Sequence, residues 1–146
     1  MKPITVTTTV ERPREELFDL LADLRNHEPF TDHMLVDWSG TAERVRVRSA
    51  VPGPADWLDI QTLELERPSR TVERTTGAKG KRVSYGTYTL EEAGPSSTRV
   101  TFELRIESMP GRERLLAPVL RPWLTRVNEK AMRRLKEHVE AQPGGS

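Results

Sequence analysis

One long amphipathic helix, from Gly111 to Glu140, closes a chain whose earlier half reads mainly as strands, and that pairing constrains the fold most. Leu116, Val119, Leu120, Trp123, Leu124, Val127, Ala131 and Leu135 recur every three or four residues and line one face. Arg121, Arg126, Glu129, Arg133, Lys136 and Glu137 mostly fill the other. At about 1.5 Å per residue the helix reaches roughly 40 Å, more than one small sheet needs. A long helix laid across a curved sheet encloses space, so a pocket is the first expectation. Pro118 and Pro122 interrupt the pattern, each removing a backbone hydrogen bond and crowding the carbonyl four residues earlier. The helix is expected either to bend there or to begin as a separate turn from Gly111 to Ala117.

The rest of the chain supplies the sheet. Ile4 to Val10 is threonine-rich and β-branched, a strand composition. Pro13 then opens a helix with Glu15 and Glu16 in its first turn and an apolar face of Leu17, Phe18, Leu20, Leu21 and Leu24. The run from Asn26 to His33 suggests a break and a second short helix. Strands follow at Met34–Ser39, Arg44–Ala50, Trp57–Glu66, Thr71–Thr76, Val83–Leu90 and Arg99–Glu107. Val100, Phe102, Leu104 and Ile106 alternate with polar residues in the last of these. Pro52-Gly53-Pro54, Gly77–Lys81 and Gly94–Ser97 read as loops and turns. Short connections make the sheet antiparallel, with one wet and one covered face. The expected class is therefore α+β, one domain over residues 1–141 followed by a disordered tail at 142–146.

Composition excludes several functions. A net charge of +1 over 146 residues, without a block of like charge, argues against nucleic-acid binding. Cysteine is absent, which removes disulfides, thiolate metal sites and cysteine nucleophiles. No run approaches the roughly 20 apolar residues of a membrane span, and no apolar signal region opens the chain. The expectation is a cytoplasmic protein; its oligomeric state is not written in the sequence.

Several segments together resemble the Bet v 1-like superfamily, also called SRPBCC or START-like, with polyketide cyclase/dehydrase-type proteins nearest. They are Val10-Glu-Arg-Pro-Arg-Glu-Glu-Leu-Phe-Asp-Leu-Leu-Ala-Asp, Asn26-His27, the strand entry from Pro68 to Arg74, Gly86-Thr-Tyr-Thr-Leu-Glu, Ser97-Thr-Arg-Val-Thr-Phe and the terminal helix. The resemblance implies a helix-grip fold: a curved seven-stranded antiparallel sheet around the C-terminal helix, with two short helices after the first strand. It also implies an apolar cavity for lipids, hormones, polyketides or quinones, and in some members cyclisation, dehydration or hydrolysis. An aromatic often follows the Asn-His segment in such families, and Phe30 is the candidate here.

The ligand expected is small and apolar, aromatic, polyketide-like or lipid-like. Candidate contacts are Phe30, His33, Trp38, Trp57, Tyr85, Tyr88, Phe102, Leu104, Leu120, Trp123 and Val127, since rings with a few polar tips suit such a pocket. Its volume is expected to reach roughly 300 Å³ or more, walled by Phe102, Leu104, Leu120, Trp123 and Val127. Small residues such as Ser84 and Gly86 leave room at inward positions. Glu73 is the candidate for chemistry. If Thr71, Glu73 and Thr75 face inward, the carboxyl sits among apolar walls, its pKa rises, and it can serve as general acid or base or anchor a ligand hydroxyl. If Val72 faces inward instead, Glu73 is solvated and idle. His27, Glu28, Asp32 and His33 lack the fixed third ligand a zinc site requires, so no metal and no cofactor is expected. Gly77–Lys81 has neither the spacing nor the following helix of a phosphate loop. Arg44, Arg46 and Arg48 form a basic strip expected to pair across strands with Glu64 and Glu66. Three readings follow: a small-molecule binder, a cyclase or dehydratase using Glu73 with a tyrosine or histidine, and an interaction module with a filled core.

Overall fold

A computed structural model of the protein describes residues 2–50 and 57–143; the loop expected at Pro52-Gly53-Pro54 and the tail residues 144–146 lie outside the described residues. Seven strands form one curved antiparallel sheet: β1 (Ile4–Val10), β2 (Leu35–Gly40), β3 (Arg44–Ser49), β4 (Trp57–Glu66), β5 (Arg70–Gly77), β6 (Arg82–Gly94) and β7 (Ser97–Ser108). Their spatial order is β1-β7-β6-β5-β4-β3-β2, so each strand from β2 to β7 lies beside its sequence neighbour and β1 closes onto β7. Between β1 and β2 run α1 (Arg14–Ala22), a 3₁₀ turn (Leu24–His27) and α2 (Glu28–Thr31). Strands β6 and β7 run past their expected ends because Gly94 pairs with Ser97 across a tight turn.

The terminal helix takes the second of its two expected forms. A short α3 (Gly111–Leu115) stops at Leu116, with φ −93° and ψ 1°, before α4 (Ala117–Glu140) begins. Pro118 falls in the first turn of α4, where its missing N–H has no partner to lose. Pro122 lies inside α4 and takes the N–H that would have met the Pro118 carbonyl.

Helix α4 packs most closely on β1 at one side and on α2 at the other, spanning the concave face between them. Arg121 bonds the Lys2 and Pro3 carbonyls, the latter at 3.0 Å, and Lys136 donates to the Thr9 carbonyl at 2.7 Å. From Arg121 to Lys136 the helix rises about 22 Å, and from Pro3 to Thr9 a strand rises about 20 Å. The matched lengths let α4 run parallel to β1 and cover that sheet edge. At the other edge β2 is broken: its register shifts between Val36 and Ser39, Asp37 has φ 55°, and Arg48 holds the Asp37 carboxylate at 2.6 Å.

Two apolar clusters fill the concave side. The larger joins Val6, Val10, Leu17, Phe18, Leu21, Phe30, Tyr88, Leu90, Val100, Phe102, Ala131, Met132, Leu135 and Val139. The smaller joins Leu24, Val45, Val47 and Ile60 with Leu35, Trp38 and Leu58 against it. Each fully buried Leu or Phe contributes about 1.5–3 kcal/mol by leaving water. Between the clusters lies β5, whose inward residues Thr71, Glu73 and Thr75 are all polar, so a polar seam divides the interior. Among the described residues no helix is long and apolar enough to cross a membrane.

Candidate functional site

The cross-strand registers settle which way Glu73 faces. Ile4, Leu104, Gly86, Glu73 and Thr62 are successive partners across β1, β7, β6, β5 and β4, and form one row. The neighbouring row holds Val6, Phe102, Tyr88 and Thr71. A Cβ built on Gly86 would stand 2.9 Å from Phe102 Cε1 and 3.0 Å from Glu73 Oε1, so the missing side chain is what admits both groups. Glu73 thus shares the core face with Phe102. Val72 faces the opposite side and is buried too, which is why the alternation alone was ambiguous.

Among the described residues the Glu73 carboxyl has no hydrogen-bond partner, and its neighbour is His27, with Nδ1 3.9 Å from Oε2. Burial pushes the Glu73 pKa up to about 7 because the charged form loses water. His27 is held by its turn. Asp23 accepts from the Arg25 N–H at 3.0 Å, and Asn26 donates to the Leu20 carbonyl at 3.1 Å. His27 Nε2 meets the Leu21 carbonyl at 2.8 Å, which fixes that nitrogen as the protonated one and leaves a lone pair on Nδ1. Burial lowers the His27 pKa to about 4. Tyr88 stands edge-on to His27 at 5.7 Å and contacts Phe102 at 4.7 Å. Its phenol is raised well above its ordinary pKa by burial, then by the nearby Glu73 charge.

The concave face is fully packed at one end and only partly covered at the other. Ala131, Met132, Leu135 and Val139 are buried in the second half of α4, whereas Leu120, Trp123, Leu124 and Val127 in its first half are half-exposed. Arg121 at Pro3 places that first half over the Ile4–Leu104 end of the sheet. There Leu104, Ile106, Ser84 and Thr75 are likewise part-exposed, while Glu73 keeps only 16% of its side chain exposed. Small side chains at 75, 84 and 86 keep this end shallowly filled.

Several expected contacts fall elsewhere. Trp57 and Tyr85 lie on the convex face: Arg46 stacks on the Trp57 ring at 5.1 Å and Arg105 on Tyr85 at 4.7 Å. A strand sends neighbouring side chains to opposite faces, and Tyr85 sits three positions from Tyr88. His33 ties α2 to α4, its Nε2 on the Val127 carbonyl at 2.9 Å and its Nδ1 on Arg134 at 3.2 Å. Phe30 is wholly buried core, and Trp38 packs on the smaller cluster while donating to the Leu35 carbonyl at 3.1 Å. The expected walls do not form one pocket. Concavities of about 390 and 370 Å³ flank α4, one along Thr5–Thr8 with Thr125, Glu129, Met132 and Arg133, the other including Trp123 and Val127. Neither takes in Phe102, Leu104 or Leu120; Phe102 packs with Tyr88 and Met132 in the larger cluster. Glu64 and Glu66 pair with Arg70, not with the Arg44–Arg48 strip. Among the described residues no three metal-ligating side chains converge.

His27 is the residue whose place in this site the sequence reading missed. The signal was present: Leu24, His27 and Phe30 repeat at intervals of three, and all are buried.

A curved seven-stranded antiparallel sheet gripping a long C-terminal helix defines the helix-grip class. Residues 1–140 match the family described as polyketide cyclase / dehydrase and lipid transport, and the chain belongs to it. No curated protein matches by sequence. Among solved structures the fold is similar to a protein from Thermus thermophilus, TM-score 0.70 at 20% identity, over 96% of this chain and 98% of that one. It is similar to a START superfamily protein from Mycobacterium smegmatis, TM-score 0.64 at 13% identity, over 94% of each. It also matches a di-domain ARO/CYC protein, BexL, of the BE-7585A biosynthetic pathway, TM-score 0.70 at 19% identity, over 96% of this chain but 47% of that one. Identities this low speak for the fold alone.

Proposed function

We propose that the protein binds a small apolar ligand beneath the first half of α4, with the ligand's polar end toward Glu73. The observation that carries this is the contrast along α4: apolar side chains buried after Asn128 are left half-exposed before it, over a row of small and polar residues. Apolar surface exposed inside a concave face gains by receiving an apolar guest. The break at Leu116 gives the first turns of α4 a point about which to part from the sheet. Native mass spectrometry of the purified chain, followed by titration with an environment-sensitive naphthalene probe, tests the reading. A co-purified apolar compound or saturable probe binding weakened by Trp123→Ala is expected; probe binding untouched by that change would refute it.

The His27–Glu73 pair favours a second reading, acid–base chemistry of the cyclase or dehydratase kind. With a β-hydroxy carbonyl guest, His27 Nδ1 would take the α-hydrogen as a proton while Glu73 protonates the departing hydroxyl, releasing water and forming the C=C bond. The Glu73 carboxylate and the imidazolium then exchange one proton to reset the pair. Enone absorbance growing with the native protein but not with Glu73→Gln would support it; its absence with a bound guest leaves binding alone.

A further inference from the structure

We propose that the polar end of this ligand is a protonated primary amine, held between the Glu73 carboxylate and His27 Nδ1 beside the rings of Tyr88 and Phe102. This rests on the binding reading above and narrows the chemical class of the guest.

The argument is stereochemical. Because the Leu21 carbonyl takes the Nε2 hydrogen, Nδ1 offers only a lone pair to the site. Glu73 Oε2 lies 3.9 Å from it, and among the described residues neither Lys nor Arg pairs with this carboxyl. Two acceptors at that separation are both reached, at about 2.9 Å each, by one nitrogen bearing two or more hydrogens. A ligand hydroxyl, with one hydrogen, satisfies both groups only while Glu73 is in its acid form, and so loses its second bond as pH rises past about 7. A ligand carbonyl would require Glu73 in its acid form and leave Nδ1 without a donor. A ligand carboxylate would place a second negative charge beside a carboxyl that no cation among the described residues pairs with.

The surroundings favour a cation too. Tyr88 and Phe102 present aromatic rings, whose faces attract ammonium groups most strongly where water is scarce. The titratable groups beside Glu73 are His27 from the 3₁₀ turn, 3.9 Å away, and Tyr88 from β6, whose phenol feels the Glu73 charge; Asp23 in turn acts on His27. None of these supplies a positive charge at neutral pH, since burial keeps His27 neutral. An arriving ammonium therefore meets acceptors only, and it would convert Glu73 to the carboxylate. Below about pH 7 that conversion expels a proton, so affinity for an amine should rise from pH 6 to pH 8. A guest that drew on the acid form of Glu73 would show the opposite slope.

Isothermal titration calorimetry of the full chain tests this with naphthylmethyl and octyl bodies, each carrying an amine, an alcohol or a carboxylate head. The amines should bind at least about tenfold more tightly than the alcohols at pH 8, gain affinity from pH 6 to pH 8, and exceed the carboxylates by more. Glu73→Gln should erase the amine preference, bringing amine and alcohol affinities together at pH 8. Alcohols binding as well as amines, or a preference that survives Glu73→Gln, would overturn the amine proposal and leave the binding reading standing. Binding by none of the heads would overturn both. Should Glu73→Gln fail to fold, the slope of amine affinity between pH 6 and pH 8 in the native protein decides: a rise supports the proposal, and a fall or no change overturns it.

Discussion

His27 Nδ1 and Glu73 Oε2 face each other at 3.9 Å across the concave side, one carried by a helical turn and the other by a strand in mid-sheet. Burial acts on the two in opposite senses, raising the carboxyl to about 7 and lowering the imidazole to about 4. Between those values the folded pair is uncharged. In the unfolded chain the same two groups would both be ionised from about pH 4.5 to 6.5.

That difference gives stability a pH signature. Glu73 has a raised folded pKa, so its contribution is greatest below the unfolded value near 4.5 and is lost as pH climbs to about 7. His27 is depressed, so its contribution is present above 6.5 and is lost as pH falls toward about 4. Glu73→Gln removes the first slope and keeps the second. Relative to the native chain, the variant should gain on the order of 3 kcal/mol between pH 4 and pH 8. Urea unfolding at both pH values measures it, and a constant offset would mean that Glu73 titrates as if in water.

Gly86→Ala tests the row that admits the carboxyl. The new methyl would press on Phe102 Cε1 at 2.9 Å and on Glu73 Oε1 at 3.0 Å. The Glu73 carboxyl can rotate away, whereas the Phe102 ring is packed against Tyr88. A loss of about 1–3 kcal/mol is expected, as for overpacking elsewhere. A thermal melt that does not move would show the row to be looser than described.

Trp123→Ala should separate binding from folding. The ring is only half-buried, so its removal should cost less than the roughly 3–5 kcal/mol of a fully packed aromatic. Probe affinity should fall by about tenfold or more, as befits loss of a large apolar contact. Unfolding without a separate binding defect would make the ring structural.

The aromatic residues should sort by face. Trp57→Ala, on the convex side with 44% of its surface exposed, should leave probe binding unchanged and stability within about 1 kcal/mol. Phe30→Ala, wholly buried beside His27, should cost about 3–5 kcal/mol. Parallel melts and titrations of the two variants check both statements.

Element positions were legible because hydrophobic period is a local property. β1 and β4 have the bounds their composition suggested, and a separate turn before α4 was one of the two forms the prolines allowed. Sheet register is not local. Tyr85 and Tyr88 look like one aromatic pair in sequence, yet three positions along a strand send them to opposite faces. The sequence left open whether Glu73 or Val72 faces inward; Val72 is buried on its own face, so neither residue's polarity revealed the direction. His33 looked like a pocket border and serves as a strut, because its partner, the Val127 carbonyl, carries no side-chain signal. His27 could have been found from its spacing with Leu24 and Phe30.

The two sheet margins carry a consequence for the protein's solubility. Segments with few buried contacts, such as the first turns of α4, open more readily than the packed core does. Such openings are hazardous when a bare strand border can recruit another chain. Here one border has its carbonyls at Pro3 and Thr9 occupied by cations of α4, and the other is kinked at Asp37 and pinned by Arg48. Neither offers a straight row of backbone donors and acceptors. A local opening of the sheet therefore exposes no ready template for another chain.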